Sequence, residues 1–369
     1  MSVNQLWIRR GGAAGVCGLL AFGAIAQGPL TPPGAPAATM KTLGQLEPRT
    51  AISNANYTIS QPGSYYLTTN LTATGHGITI SADNVTLDLN GFSLTGDLDA
   101  GDYGIQIGGN FSYKNIAVRN GAISRFHGGL YLQRVSLSRF DHLSFSTNRY
   151  GIRLAAATGQ SNGNRFSDCR IADSAAMGVY LQAWDESQCN GNLFAGCTIT
   201  RNAGGGVYFL TQDSSRCDGN QFSGCRVVGN GMQGFVFSGP GSQSGNMICD
   251  CTISDNTYSG VYFNGQNGKC DGNRLFNCVL SRNGGKGVSC EGTVGNRIEN
   301  NVVSDTTGSP SYGIQTTTSS NNLVIRNVCS GQTSNYDIDA DDSYGPIVTL
   351  SGALATNGLS AHPWANFSR

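Results

Sequence analysis

The sequence predicts an all-β fold: a single-domain right-handed parallel β-helix, a solenoid of about ten coils that use 22 to 28 residues each. Three observations predict it. A Gly followed by an apolar residue recurs at Gly77, Gly104, Gly129, Gly151, Gly178, Gly206, Gly234, Gly260, Gly287 and Gly313. A second marker, Gly-Asn, recurs ahead of those pairs at Asn164, Asn192, Asn220, Asn246, Asn273 and Asn296. Around each Gly the apolar residues sit two apart, as in Val179 and Leu181 or Val207 and Phe209, which is the period of a strand with one buried face. Composition agrees, because 52 Gly in 369 residues and only 12% charged residues suit many short strands and tight turns.

Taken in order, residues 1–26 read as a signal peptide, with Arg9 and Arg10, an apolar stretch from Ala13 to Ile25 and a small-x-small site at Ala24-Ile25-Ala26. The apolar stretch is too short to span a membrane, so export to the periplasm, the cell surface or the medium is expected. Residues 27–45, rich in Pro, Ala, Gly and Thr, read as a flexible linker, and 46–76 as an N-terminal cap. The solenoid occupies 77–330, and 331–369 form a C-terminal cap or tail in which Pro363, Trp364 and Phe367 are apolar enough to cover an open end.

Each coil is too small to bury its own apolar side, so the coils must stack with parallel strands about 4.8 Å apart. At that spacing a side-chain amide can donate to the equivalent amide one coil on. The Gly-Asn asparagines and a second series, Asn148, Asn202, Asn230, Asn256 and Asn283, are therefore expected as buried ladders.

The unit Gly-Asn-x-apolar-x-x-Cys/Asn-x-apolar-x-x-Asn, followed by Gly-apolar, resembles the repeat of the pectate-lyase-like superfamily of right-handed parallel β-helix proteins. Gln61 to Leu67 and Asn84 to Gly91 resemble the N-terminal start of many bacterial secreted members. The resemblance implies the fold; the superfamily includes polysaccharide lyases, hydrolases, epimerases and tailspikes, so it does not fix the activity. Its catalytic patterns are not reproduced. Gly75-His76-Gly77 precedes the first coil, far from Asp341-Asp342, and Tyr103-Gly104 is followed by Ile105-Gln106 instead of an Asp and a His.

Beyond the signal there are eleven Cys. Five of them, Cys169, Cys197, Cys225, Cys251 and Cys278, each follow the Gly-Asn asparagine by five residues, and Asn301 and Asn327 continue that series. Three coils add a Cys eight residues earlier, which suggests disulfides within coils, Cys189 with Cys197, Cys217 with Cys225, and Cys270 with Cys278, with axial bridges between coils as the alternative, since the stacking distance also suits a disulfide. No spacing suits zinc.

Function must come from outward-facing positions. The residue after the Gly-apolar pair is Tyr131, Arg153, Tyr180, Tyr208 and Tyr262, interrupted by Val236, and such a column suits stacking on sugar rings. Residues 114–170 hold nine Lys or Arg, Arg134 among them, against Asp141 and Asp168, a formal charge of 9 − 2 = +7. Arginine matches carboxylates and sulfates through two parallel hydrogen bonds. An acidic polysaccharide is therefore the expected partner, bound by Tyr131, Arg134, Arg153, Tyr180, Tyr208 and Tyr262. With Lys plus Arg and Asp plus Glu equal at 23 each, neither nucleic acid nor a membrane surface is indicated. Should the protein be an enzyme, a uronate lyase is expected, with His127, Asp141, His142 and Arg153 as acid or base candidates; a structural surface rod is the remaining alternative. No cofactor is expected: the hard oxygens of Asp337, Asp339, Asp341 and Asp342 could hold calcium, but the loop glycine of a calcium motif is missing, which favours a solvated capping turn.

Overall fold

The computed structural model describes residues 48–369 apart from 158, 267, 310 and 352–357. The expected signal peptide and linker lie outside the described residues. Each coil contributes three short strands, seen in one coil as Val179–Trp184, Leu193–Ala195 and Thr198–Thr200, and each strand pairs in parallel with its equivalent one coil on. The first strands of the coils form a 12-stranded sheet, the first wall. The second and third form two further walls, joined into one 24-stranded sheet where Ala117–Ser124 and Arg139–Ser146 run through both.

Twelve strands in the first wall are two more than the ten Gly-apolar pairs. Tyr57–Ile59 adds a coil before Ile78–Ile80, and Ser334–Asp337 adds one after Tyr312–Thr317. Both carry the alternation without the Gly, which is why the repeat marker misses them. Asn366–Ser368 extends the third wall by pairing with Val328 and Cys329, while Trp364 stays exposed.

The Gly of the Gly-apolar pair is required by space. A Cβ on Gly206 would lie 2.5 Å from Val227 and 2.7 Å from the Gly234 carbonyl of the next coil. The inward residues then stack in columns. Phe140, Phe166, Phe194 and Phe222 stack with ring centroids 4.9, 4.3 and 4.6 Å apart, and Phe209, Phe237 and Phe263 at 4.3 and 4.8 Å. Each such pair adds about 0.5–1.5 kcal/mol to the burial of its area.

Three buried polar ladders run along the corners. Asn164 donates through Nδ2 to Asn192, Asn192 to Asn220, Asn220 to Asn246 and Asn246 to Asn273, at 3.0 to 3.1 Å. Asn202, Asn230, Asn256 and Asn283 form a second series at 2.9 Å per rung. The third begins with the thiols of Cys169, Cys197, Cys225, Cys251 and Cys278 and passes to Asn301, Asn327 and Asn366, with amide rungs of 3.0 and 3.2 Å.

The expected disulfides within coils are absent: all eleven cysteines of the described residues are free and buried. Geometry explains it. Cys189 hydrogen-bonds the carbonyl of Leu154 in the first-wall strand Tyr150–Ala157, and Cys217 lies beside it one coil on. Cys197 instead sits beyond the second wall, against the Phe166 carbonyl and the thiols of Cys169 and Cys225. Eight residues of chain carry the second cysteine around a corner, so each thiol's sulfur neighbours are axial. Cys270 and Cys278 separate in the same way, since Cys278 meets the Ile248 carbonyl and Cys251 while Cys270 meets Asn273.

Three of the acids considered for calcium are engaged within the fold. Asp342 is buried as the last rung of the first ladder, accepting from Asn322 and Ser319, and Asp337 accepts from Gln315 at 2.6 Å. Asp339 accepts from the Ser319 amide at 3.2 Å, and these acids are not among the described groups that lie within 4.8 Å of one another. Among the described residues Asp97, Asp99 and Asp102 do lie within 4.8 Å of one another, on turns where they are exposed or half-buried.

Candidate functional site

Register along the outward face of the first wall is unbroken. Gln106 pairs with Tyr131, Tyr131 with Arg153, Arg153 with Tyr180, Tyr180 with Tyr208, Tyr208 with Val236 and Val236 with Tyr262. The predicted column therefore exists as one row of side chains, all half-buried except the covered Val236.

A second outward row lies beside it at the residue before each Gly, where Tyr103, Gly128 and Tyr150 pair in sequence. The two rows interleave. Tyr103 stacks on Tyr131 with centroids 4.2 Å apart and planes 10° from parallel, Tyr150 stacks on Tyr180 at 5.5 Å, and Tyr208 meets Tyr180 edge-on at 5.7 Å. A Cβ on Gly128, between Tyr103 and Tyr150, would lie 2.8 Å from the Tyr103 ring, so this Gly makes room for that ring.

Arg153 is the centre of this cluster. Its guanidinium carbon lies 5.4 Å from the Tyr131 ring centre, 5.6 Å from Tyr150 and 6.0 Å from Trp184. Nε donates to Gln182 Oε1 at 2.8 Å and Nη1 to the Tyr103 hydroxyl at 3.5 Å. Arg149 covers the other side of Tyr150 at 5.6 Å. Neither Arg149 nor Arg153 takes part in an ion pair among the described residues. Two cations without a carboxylate, held against aromatic faces, are the electrostatic signature of the site.

His127 joins the cluster, 5.9 Å from Tyr103 and 5.6 Å from Tyr150. Burial, with Arg149 and Arg153 adding repulsion, holds its pKa below the ordinary value and keeps the ring neutral near pH 7. Burial likewise raises the Tyr131 phenol, and pushes Tyr180 up to about 12, so both remain hydrogen-bond donors. At the N-terminal edge His76 stacks on Tyr103 at 5.6 Å, accepts the Tyr103 amide at Nδ1 and lies 3.6 Å from Asp102.

The remaining sequence candidates lie elsewhere. Asp141 is on the second wall, and His142 is exposed at the corner beyond it, 3.9 Å from Asp168; neither joins Arg153, because half a coil carries the chain to another face. Most of the basic stretch is dispersed in the same way: Arg139 and Arg165 pair on the second wall, Arg170 lies on the third, and Arg119 is paired with Asp88. Arg134 sits at a break in strand register and turns its guanidinium to the Asn110 carbonyl, away from the tyrosines. Tyr262 is set apart by Val236, and its hydroxyl is held by Glu291 at 2.7 Å.

Sequence reasoning missed Tyr103, Tyr150, Trp184 and Gln182. Tyr103 and Tyr150 occupy the residue before the Gly, a position held in other coils by residues as different as His76, Gly128, Met177, Gln233 and Lys286, so no regular residue type marks it. Trp184 closes the strand Val179–Trp184, outside the positions that the Gly-apolar marker picks out.

The chain belongs to the right-handed β-helix family: the family described as "Right handed beta helix region" matches residues 58–222 and 188–348. No curated protein matches the sequence. Among solved structures, the Azotobacter vinelandii mannuronan C-5 epimerase AlgE4 A-module is similar at 17% identity over 79% of this chain and 91% of that one, with a TM-score of 0.41. The Geobacillus virus E2 ORF18 protein is similar at 15% identity over 79% of this chain and 53% of its own, TM-score 0.48. Pectate lyase Pel9A is similar at 14% identity over 77% and 70%, TM-score 0.42. These likenesses concern the fold alone. Among the described residues no helix is long and apolar enough to cross a membrane.

Proposed function

We propose that the outward face of the first wall binds an acidic polysaccharide, and that the protein is an exported carbohydrate-binding β-helix. The observation that carries this reading is Arg153, a half-buried guanidinium with no carboxylate partner among the described residues, framed by Tyr131, Tyr150 and Trp184. Its Nη groups suit a uronate carboxylate, and the phenolic faces around it suit the apolar faces of pyranose rings. The aromatic row from Tyr103 to Tyr208 spans four coil steps, about 20 Å, so a polymer fits better than a single small acid.

The test is the affinity of polygalacturonate and alginate for the protein and for Arg153→Ala. Loss of one charge-assisted bond is expected to weaken binding about tenfold or more. Unchanged affinity in Arg153→Ala removes the site.

A second reading, a uronate lyase, is favoured by one observation: His127 is kept neutral beside the arginines and so suits a proton acceptor. In that reaction the proton next to the uronate carboxylate passes to the base, its electron pair forms the new C=C bond, and the glycosidic oxygen leaves with a proton. Shortening of either polymer, with an unsaturated end absorbing in the ultraviolet, establishes it; intact polymer leaves the binding function.

A further inference from the structure

Beyond Val236 the same face changes character. The Tyr262 hydroxyl donates to Glu291 Oε2 at 2.7 Å, and Lys286 Nζ lies 3.3 Å from Glu291 Oε1 and 3.3 Å from the Ser289 hydroxyl. Tyr262 and Ser289 are consecutive members of the column that holds Arg153, and Glu291 lies two residues along the strand from Ser289. The Lys286 and Glu291 side chains keep 26% and 24% of their surface in solvent. Three coils past Tyr262 the column ends at Asp337, which accepts from Gln315.

The charges along this face therefore run from two arginines without carboxylate partners to a balanced Lys286–Glu291 pair and then to an acid. A uronate that is attracted over Arg153 meets Glu291 and Asp337 if the same charge recurs at the far end. An uncharged sugar meets no such penalty. Glu291 keeps lone pairs able to accept from ring hydroxyls, Lys286 can donate to a ring or hydroxyl oxygen, and the Tyr262 ring offers a stacking face.

We infer that Tyr262, Lys286 and Glu291 form a second saccharide subsite that takes an uncharged sugar, so that the ligand is a mixed glycan with acidic and neutral residues. This rests on the acidic-polysaccharide reading of the Arg153 cluster. From Arg153 to Tyr262 the column makes four coil steps, about 19 Å, a distance that one extended glycan chain lying along the axis covers.

The test compares two oligosaccharides of equal length by calorimetry: a hyaluronan oligomer, in which glucuronate alternates with N-acetylglucosamine, and an oligogalacturonate. The protein is expected to prefer the alternating oligomer, and Glu291→Gln to reduce that preference about tenfold. Lys286→Gln leaves the carboxylate uncompensated and is expected to widen the preference, which gives an independent reading should Glu291→Gln lower the melting temperature. Equal affinities, or a ratio unmoved by both variants, overturn the second subsite while leaving Arg153 in place if Arg153→Ala weakens both ligands. If neither oligomer binds, or Arg153→Ala changes neither, the acidic-polysaccharide reading falls and the second subsite with it.

Discussion

The Nε of Arg153 donates to the Oε1 of Gln182, one coil further along the axis, at 2.8 Å. Gln182 is 4% exposed, so this bond is anchored in the wall and fixes the direction in which the guanidinium points. Nη1 and Nη2 are left facing the aromatic row. Gln182→Leu removes the anchor while keeping the charge. It is expected to weaken binding of polygalacturonate several-fold, less than the loss in Arg153→Ala, as measured by calorimetry.

His127 gives the face a pH dependence of stability. Its folded pKa lies below the ordinary value of about 6.5, chiefly through burial and then through Arg149 and Arg153. Between those two pKa values the unfolded chain binds more protons than the folded one, so stability rises with pH there. The contribution is complete above about 6.5 and is lost as pH falls through the folded pKa. Proton NMR of the ring is expected to show His127 titrating below the ordinary histidine value, and to show an upward move in Arg153→Ala. Thermal melts across the same window should be flatter for His127→Gln.

Asn220 is an inner rung of the first ladder, accepting from the Asn192 amide and side chain and donating to Asn246 at 3.1 Å. Asn220→Ala leaves a buried backbone amide and a side-chain amide unpaired and is expected to cost about 1–3 kcal/mol per orphaned group. Asn277, exposed at a turn, donates to the Asp250 carboxylate at 3.3 Å. Asn277→Ala is expected to cost only about 1 kcal/mol, chiefly because its φ of 55° suits Asn better than Ala. Urea unfolding monitored by circular dichroism compares the two.

Every cysteine of the coils is buried, so the eleven thiols are expected to resist alkylation in the native protein and to react fully in denaturant without a reductant. Cys278 is the thiol next to Asn301, whose Oδ1 accepts its backbone amide at 2.9 Å. Cys278→Asn continues the amide series and is expected to be tolerated far better than Cys278→Leu, which offers no donor or acceptor to its neighbours. Mass spectrometry after labelling and thermal melts check both outcomes.

Much of the architecture is legible in the chain because one physical constraint repeats. Gly206 and its equivalents admit no Cβ against the next coil, and Asn220 must find another Asn one coil away, so both leave a period that can be read directly. The outward row Tyr131, Arg153, Tyr180 and Tyr208 follows from the same register. The rest of the site depends on which wall a residue faces. Tyr103 and Tyr150 reach Arg153 from a position with no regular residue type, while His142, only eleven residues before Arg153, faces away. The cysteines show the same limit, since an eight-residue separation in sequence crosses a corner and places Cys189 and Cys197 in different columns.

Trp184 offers the most direct test of the account, because it lies 6.0 Å from the Arg153 guanidinium at the edge of the proposed glycan face. In a Trp7→Phe, Trp364→Phe background it is the sole tryptophan, and its emission is titrated with oligogalacturonate. The account predicts a saturable change in emission that weakens together with affinity in Arg153→Ala and in the Tyr131→Ala, Tyr180→Ala double variant. Binding that saturates by calorimetry with no change at Trp184, or that survives the loss of Arg153 and both tyrosines, contradicts it.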